Sequence, residues 1–183
     1  MNIVTCGRVP PVPIDTRVDG PEIWLPESVA AETEDLLRSY GGTEDHEGIV
    51  YWGGAEATGG AVALTAISPS AVTTWGSFQT DADANTEIVS LLSRLGLSLI
   101  AQVHSHPGDW VDHSDGDDAG ALVRFPGFWS LVVPRFARHG FRPLNRCGVH
   151  LFQSGEFRRL TEEAVSAQVH LVPAAVDLRR EVL

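Results

Sequence analysis

Apolar residues recur at helical spacing in two windows of this chain, and between and after them they come as short β-branched or aromatic runs closed by glycine or proline. Val29, Leu36, Leu37 and Tyr40 mark the first helix. Pro26 suits its opening turn, where a missing N–H is no loss, and Gly41-Gly42 ends it. Ile88, Leu91, Leu92 and Leu95, at i, i+3, i+4 and i+7, mark the second, with Thr86 and Glu87 near its start and Gly96 just past its end. Residues 23–25, 48–52, 61–67, 97–103, 128–133, 149–152 and 157–160 read as strands. The turn AEATGG makes a hairpin of 48–52 and 61–67, and Ser154-Gly155 makes another of the last two runs. The resulting order is β, α, ββ, α, β, loop, β, ββ. It predicts an α/β protein with a mixed sheet and helices on its faces.

A chain of 183 residues suits one domain with a real core. Pro10, Pro11, Pro13 and Pro21 make residues 1–21 an extended leader, residues 22–160 form the domain, and residues 161–183 form a C-terminal extension packed on or near it. Acidic side chains outnumber basic ones by 24 to 13, a net charge of −11, so nucleic acid is not an expected partner and a basic peptide is mildly favoured. The start has no charged segment followed by an apolar one, and no window approaches the roughly 18 apolar residues that would cross a bilayer. A cytoplasmic protein with no membrane partner is therefore expected, with Cys6 and Cys147 as reduced thiols.

Chemistry concentrates in residues 104–117. His104 and His106 are separated by one residue at a strand end, so a period of two points both imidazoles to one side. Pro107 stops the strand, and six residues later Ser114 and Asp117 stand three apart, on one face of a helical turn. Zinc in a hydrolytic site takes three protein ligands at about 2.0–2.2 Å and keeps a fourth position for water, whose pKa it lowers to roughly 7. Asp117 is the candidate third ligand; Asp115 and Asp118 lie off the spacing by two residues and one.

Taken singly, these residues have ordinary explanations: a strand-end histidine is more often structural than a ligand, and Ser114 with Asp117 alone reads as a capping box. Jointly, five specified residues at fixed offsets arise by chance in such a chain about once in 10⁴ to 10⁵. His113 has no assigned role. Cys147 and His150 are three apart in a strand-like run, which puts them on opposite faces and argues against a cysteine nucleophile with its base. Neither a phosphate-cradling nor a dinucleotide-binding glycine pattern is present.

His104-Ser105-His106-Pro107, six residues, then Ser114-x-x-Asp117 resembles the JAMM signature of the MPN+ zinc metallopeptidases position for position. The resemblance implies an MPN/JAMM domain with a curved mixed sheet flanked by helices, cytidine deaminase-like. It implies one Zn2+ per chain on His104, His106 and Asp117, with Ser114 helping to stabilise the oxyanion. The family's glutamate opens an upstream strand, and Glu47 in Glu47-Gly48-Ile49-Val50-Tyr51-Trp52 fits that place better than Glu44. Glu47 would take a proton from water and pass one to the leaving amine. The implied activity is that of an isopeptidase or peptidase cutting after the C-terminal glycine of a ubiquitin-like β-grasp protein, for deconjugation or precursor processing. The alternatives are hydrolysis of a sulfur-carrier adduct and a non-catalytic MPN scaffold. Specificity is expected near residues 76–85 and at Trp110 and Val111.

Overall fold

The computed structural model of the chain describes residues 14–17, 19–41 and 45–174. Most of the expected leader, Cys6, Glu44 and the end of the chain lie outside the described residues. Among those described, nine strands form one mixed sheet in the order β1-β10-β9-β8-β7-β3-β4-β2-β11. They are β1 (Ile14–Asp15), β2 (Glu22–Pro26), β3 (Ile49–Ala57), β4 (Gly60–Ile67), β7 (Ser98–Ser105), β8 (Trp129–Val133), β9 (Gly148–Gln153), β10 (Glu156–Leu160) and β11 (Val169–Val172). A separate small hairpin pairs β5 (Val72–Thr74) with β6 (Ser77–Gln79). The helices are α1 (Glu27–Gly41), α2 (Ala82–Leu95), α3 (Asp115–Gly120) and α4 (Glu162–Gln168). None of them is long and apolar enough to cross a membrane.

The central strands are buried along both faces over most of their length, with α1 on one side and α2 on the other. Val50 and Trp52 of β3, Ala101 and Val103 of β7, and Trp129, Leu131 and Val133 of β8 join Val29, Ala30 and Leu37 of α1 in the main core. Full burial of each large side chain there is worth about 1.5–3 kcal/mol. The Trp52 indole N–H donates to Thr33 Oγ1 at 2.9 Å, so the one polar atom of that ring is satisfied inside the core. On the opposite face Ile49 and Tyr51 meet Ile88 and Leu92 of α2.

Several elements differ from expectation. α1 starts one residue later, with Pro26 ending β2. α2 starts at Ala82, a turn ahead of Thr86 and Glu87, capped by the Asp81 carboxylate, which accepts from Ala84 N at 2.8 Å; with Asp83 in the first turn, acidic charge meets the positive end of the backbone dipole. Its buried stripe is Ala84, Ile88 and Leu92, at intervals of four, while Leu95 is 55% exposed. In the first hairpin most of AEATGG is strand, and the bend shrinks to Thr58-Gly59, with Gly59 at φ +91°. A bulge at Gly53 and Gly54 accommodates the longer pairing, and a side chain on Gly54 would collide with the Val62 carbonyl. Residues 161–172, placed outside the domain by the sequence, form α4 and β11. β11 pairs parallel with β2 and makes one edge of the sheet.

Candidate metal centre

β7 carries the site because its alternate residues face opposite ways. Ala101 and Val103 point into the main core, which leaves Gln102 and His104 for the face bearing α2. His104 is fully buried and paired with Ile49 of β3. His106 follows the strand end and is held at both backbone groups: its N–H donates to Val133 O at 2.9 Å, and its carbonyl accepts from Phe136 N at 2.8 Å. Between them Ser105 accepts from Gly48 N at 2.9 Å through its hydroxyl and donates its own N–H to Gly48 O at 3.0 Å. This staple fixes the start of β3, and with it the neighbouring Glu47, beside the two histidines.

The third group comes from α3. Ser114 is its N-cap, and the capping box is complete: Asp117 N donates to Ser114 Oγ at 3.1 Å, and Ser114 N donates to Asp117 Oδ2 at 2.7 Å. The Ser114 hydroxyl also donates to Oδ2, at 2.8 Å. The carboxylate is thereby aimed inward, with Oδ1 at 3.4 Å from His104 Nε2 and Oδ2 at 3.3 Å from His106 Nε2. One ligand atom from each of His104, His106 and Asp117 lies within 4.8 Å of the others, and all three residues are buried. Asp115 and Asp118 stay exposed on the same turn.

The geometry suits a small cation. Ligand atoms about 2.0–2.1 Å from a tetrahedral ion stand about 3.3–3.4 Å apart, which is the separation of these imidazole nitrogens from the carboxylate oxygens. His106 Nδ1 donates to Trp110 O at 3.0 Å, which leaves the Nε2 lone pair aimed at Asp117. Both ring nitrogens of His104 lack a hydrogen-bond partner among the described residues. Buried acceptors facing one another are costly unless a proton or a cation lies between them, and two imidazoles with a carboxylate are a zinc-type donor set.

Charge and burial tune the groups. Burial pulls the His104 imidazole down to about 4, against the attraction of Asp117, so it is neutral at pH 7 with one ring-nitrogen lone pair free. Burial also opposes protonation of His106, but Asp117 and Glu47 outweigh it and its pKa is raised. Burial would raise the Asp117 carboxyl, yet His104, His106 and the Ser114 N–H hold it far below the usual carboxylate range. Burial pushes Glu47 up to about 7; His106 lowers it and Asp117 raises it. Glu47 N donates to Thr74 O at 2.8 Å, so the β5–β6 hairpin is tied to the segment just ahead of β3 that carries the glutamate.

The regions expected to bear on specificity lie around these groups. Phe78 of β6 sets its ring 5.3 Å from that of His104, and Trp75 at the hairpin bend is 66% exposed. Trp110 stacks on His106 while remaining 44% exposed, and Val111 is buried. Cys147 is buried with its thiol pushed up to about 12, chiefly by desolvation, so it stays protonated at neutral pH and is a poor nucleophile.

Four polar residues of the site carry no assignment from sequence: His113, Gln102, Ser130 and His150. The last three are cross-strand partners on β7, β8 and β9, Gln102 with Ser130 and Ser130 with His150, and all are buried. The sequence carries a signal for these three, since each is a polar residue flanked on both sides by apolar ones within a strand.

Comparison of the chain with models of protein families finds no match. The chain is 34% identical over 123 residues to the probable metalloprotease y4jG of Sinorhizobium fredii, an alignment that spans 65% of this chain and 75% of that protein. The solution structure of protein DSY2949 from Desulfitobacterium hafniense matches with a TM-score of 0.59 at 15% identity, over 83% of this chain and 95% of that one, a likeness of fold.

Proposed function

Because the chain belongs to the family of the probable metalloprotease y4jG, we propose that it is a zinc-dependent peptidase of the JAMM type, built on an MPN-like, cytidine deaminase-like sheet. The substrate we assign is a ubiquitin-like β-grasp protein, cut after its C-terminal glycine. The observation that carries the metal assignment is the 3.3–3.4 Å separation of His104 Nε2 and His106 Nε2 from the Asp117 oxygens, in a buried site with Glu47 close enough to interact electrostatically with His106 and Asp117.

Zinc held by His104, His106 and Asp117 would supply Lewis-acid polarisation of a peptide carbonyl and would acidify water. Glu47 is the proton carrier: a carboxyl tuned to about 7 can take a proton from water and return it to the leaving amine at neutral pH. The Ser114 hydroxyl, which donates to Asp117 Oδ2, can turn about its Cβ–Oγ bond and direct its proton toward an oxyanion developing nearby while Oγ still accepts from Asp117 N. Exposed Trp75 and Trp110 offer apolar surface for an extended peptide segment, and the surplus of acidic over basic side chains favours a basic one.

The test is zinc content together with cleavage of a β-grasp fusion at its Gly-X bond, with and without chelator. Cleavage by the wild type and none by Glu47→Ala or His104→Ala is the expected result. Cleavage unaffected by both substitutions would overturn the proposal, and hydrolysis of a carrier–amino acid adduct in place of the fusion would move the substrate to a sulfur carrier.

A further inference from the structure

We propose that His113 is a positioning residue for the metal centre: it sets where Asp117 stands relative to His104 and His106 by locking the first turn of α3 onto strands β7 and β8. The inference rests on the reading of the site as a zinc centre. His104 and His106 come from one strand and its immediate continuation, so sheet geometry fixes their separation. Asp117 comes from a six-residue helix reached through a loop. A helix that short has no stability of its own and holds its place only through what it is attached to. The Ser114–Asp117 box orients the carboxylate within its own turn and does nothing to fix that turn against the sheet.

His113 makes that attachment. Its Nε2 lies 2.7 Å from Ser130 Oγ on β8, and its Nδ1 lies 2.8 Å from Asp118 Oδ1 on α3. Gln102 Nε2, on β7 beside His104, donates to the same Ser130 Oγ at 3.0 Å. Polarity then runs one way. Ser130 accepts from Gln102 and gives its proton to His113 Nε2, and His113 Nδ1–H donates to the carboxylate of Asp118, the residue next to Asp117. The imidazole therefore joins the strands around His104 to the turn that bears the third ligand.

The surroundings make the join rigid. The His113 ring is buried, with centroids 4.4 Å from His150, 4.5 Å from Phe157 and 5.6 Å from His104. It lies against Ser130 and His150 of the cross-strand row Gln102, Ser130 and His150, and its Nε2 gives the buried Ser130 hydroxyl an acceptor. Loss of the imidazole takes away the acceptor of the Ser130 hydroxyl proton, though Gln102 still donates to that oxygen, and frees Asp118 as well, so α3 can shift by the fraction of an ångström that a three-ligand site does not tolerate.

Zinc affinity of the full chain, measured by competition with a chromogenic chelator, distinguishes this role from a merely structural one. His113→Ala is expected to raise the zinc dissociation constant about tenfold or more, the usual effect of removing an outer support of a metal ligand. Asp118→Ala changes an exposed side chain and spares the core, and it is expected to raise the constant about three- to tenfold. Asp118→Asn removes the same charge but keeps an oxygen for His113 Nδ1–H, and it is expected to stay within about twofold of wild type. Asp115→Ala, which removes a charge from the same turn with no bond to His113, is expected to match the wild type.

Equal losses in Asp118→Ala and Asp118→Asn, or wild-type affinity in Asp118→Ala, overturn the proposal even if His113→Ala does not fold. A wild-type chain that takes up no zinc overturns the underlying reading as well. Zinc uptake by the wild type with all variants indistinguishable from it overturns this inference alone.

Discussion

His106 donates its Nδ1–H to the carbonyl oxygen of Trp110 at 3.0 Å and lies against that residue's indole, ring centroids 5.2 Å apart and planes 12° from parallel. The backbone bond selects the tautomer, and the stack holds the ring plane that aims Nε2 at Asp117. Trp110→Ala keeps the carbonyl and loses the stack. An aromatic pair is worth about 0.5–1.5 kcal/mol, so zinc should bind about two- to tenfold more weakly. A chelator-competition titration checks this, and unchanged affinity would mean that the indole serves only as surface.

Metal should stabilise the folded chain, because the three groups converge only in the native state. At a free zinc concentration 100 times the dissociation constant the gain is about 2.7 kcal/mol. For a chain of this size that is a rise of roughly 5–10 °C in melting temperature, reversed by chelator. Calorimetry with and without zinc measures it. His104→Ala should abolish the shift, and a shift that survives the substitution would place the bound ion elsewhere.

Glu47 is separate from the ligand set, so its chemistry and the metal should be separable. Glu47→Gln keeps size and removes the titrating carboxyl. We expect zinc affinity within about threefold of wild type and a rate of peptide cleavage lower by about 10²- to 10⁴-fold, the usual contribution of a proton carrier. The pair of measurements is kcat/KM and zinc titration on the same preparation. Loss of zinc binding in this variant would make Glu47 a ligand and not a base.

His150 gives the fold a pH dependence of its own. It is fully buried, neither ring nitrogen has a hydrogen-bond partner among the described residues, and burial, followed by His113, His104 and Arg159, holds its pKa well below 6.5. The unfolded chain protonates at about 6.5, before the native one does. Its contribution to stability is therefore complete above that pH and is lost as pH falls from there toward the depressed native value. His150→Leu should flatten this part of the profile. Melting temperatures of the metal-free wild type and variant at pH 7.5 and pH 5.5 decide the matter. The wild type should lose more over that interval, and parallel losses would assign the acid sensitivity to other groups.

Where a feature depended on neighbours along the chain, it was legible from residue order. The spacing of His104 and His106 turns into a shared side because strands alternate, and Ser114 with Asp117 turns into a capping box because a helical turn brings i and i+3 together. The windows around Val29 and Ile88 are helices for the same local reason, although the start of α2 was misplaced because Asp81 caps and Asp83 sits in the first turn, features that also describe a polar linker.

What only the tertiary structure decided lies in pairings between distant residues. The Ser105 staple on Gly48 that brings Glu47 to the site, the parallel pairing of β11 with β2, the attachment of β5–β6 through Thr74, and the seat of His113 on Ser130 all join segments far apart in order. Short strands such as β5 and β11 carry too little apolar alternation to announce themselves, and their backbone groups are satisfied only once the sheet exists. Residue order alone determined which groups could ligate a cation together; long-range hydrogen bonding and burial decided how far apart they stand and which other side chains hold them there.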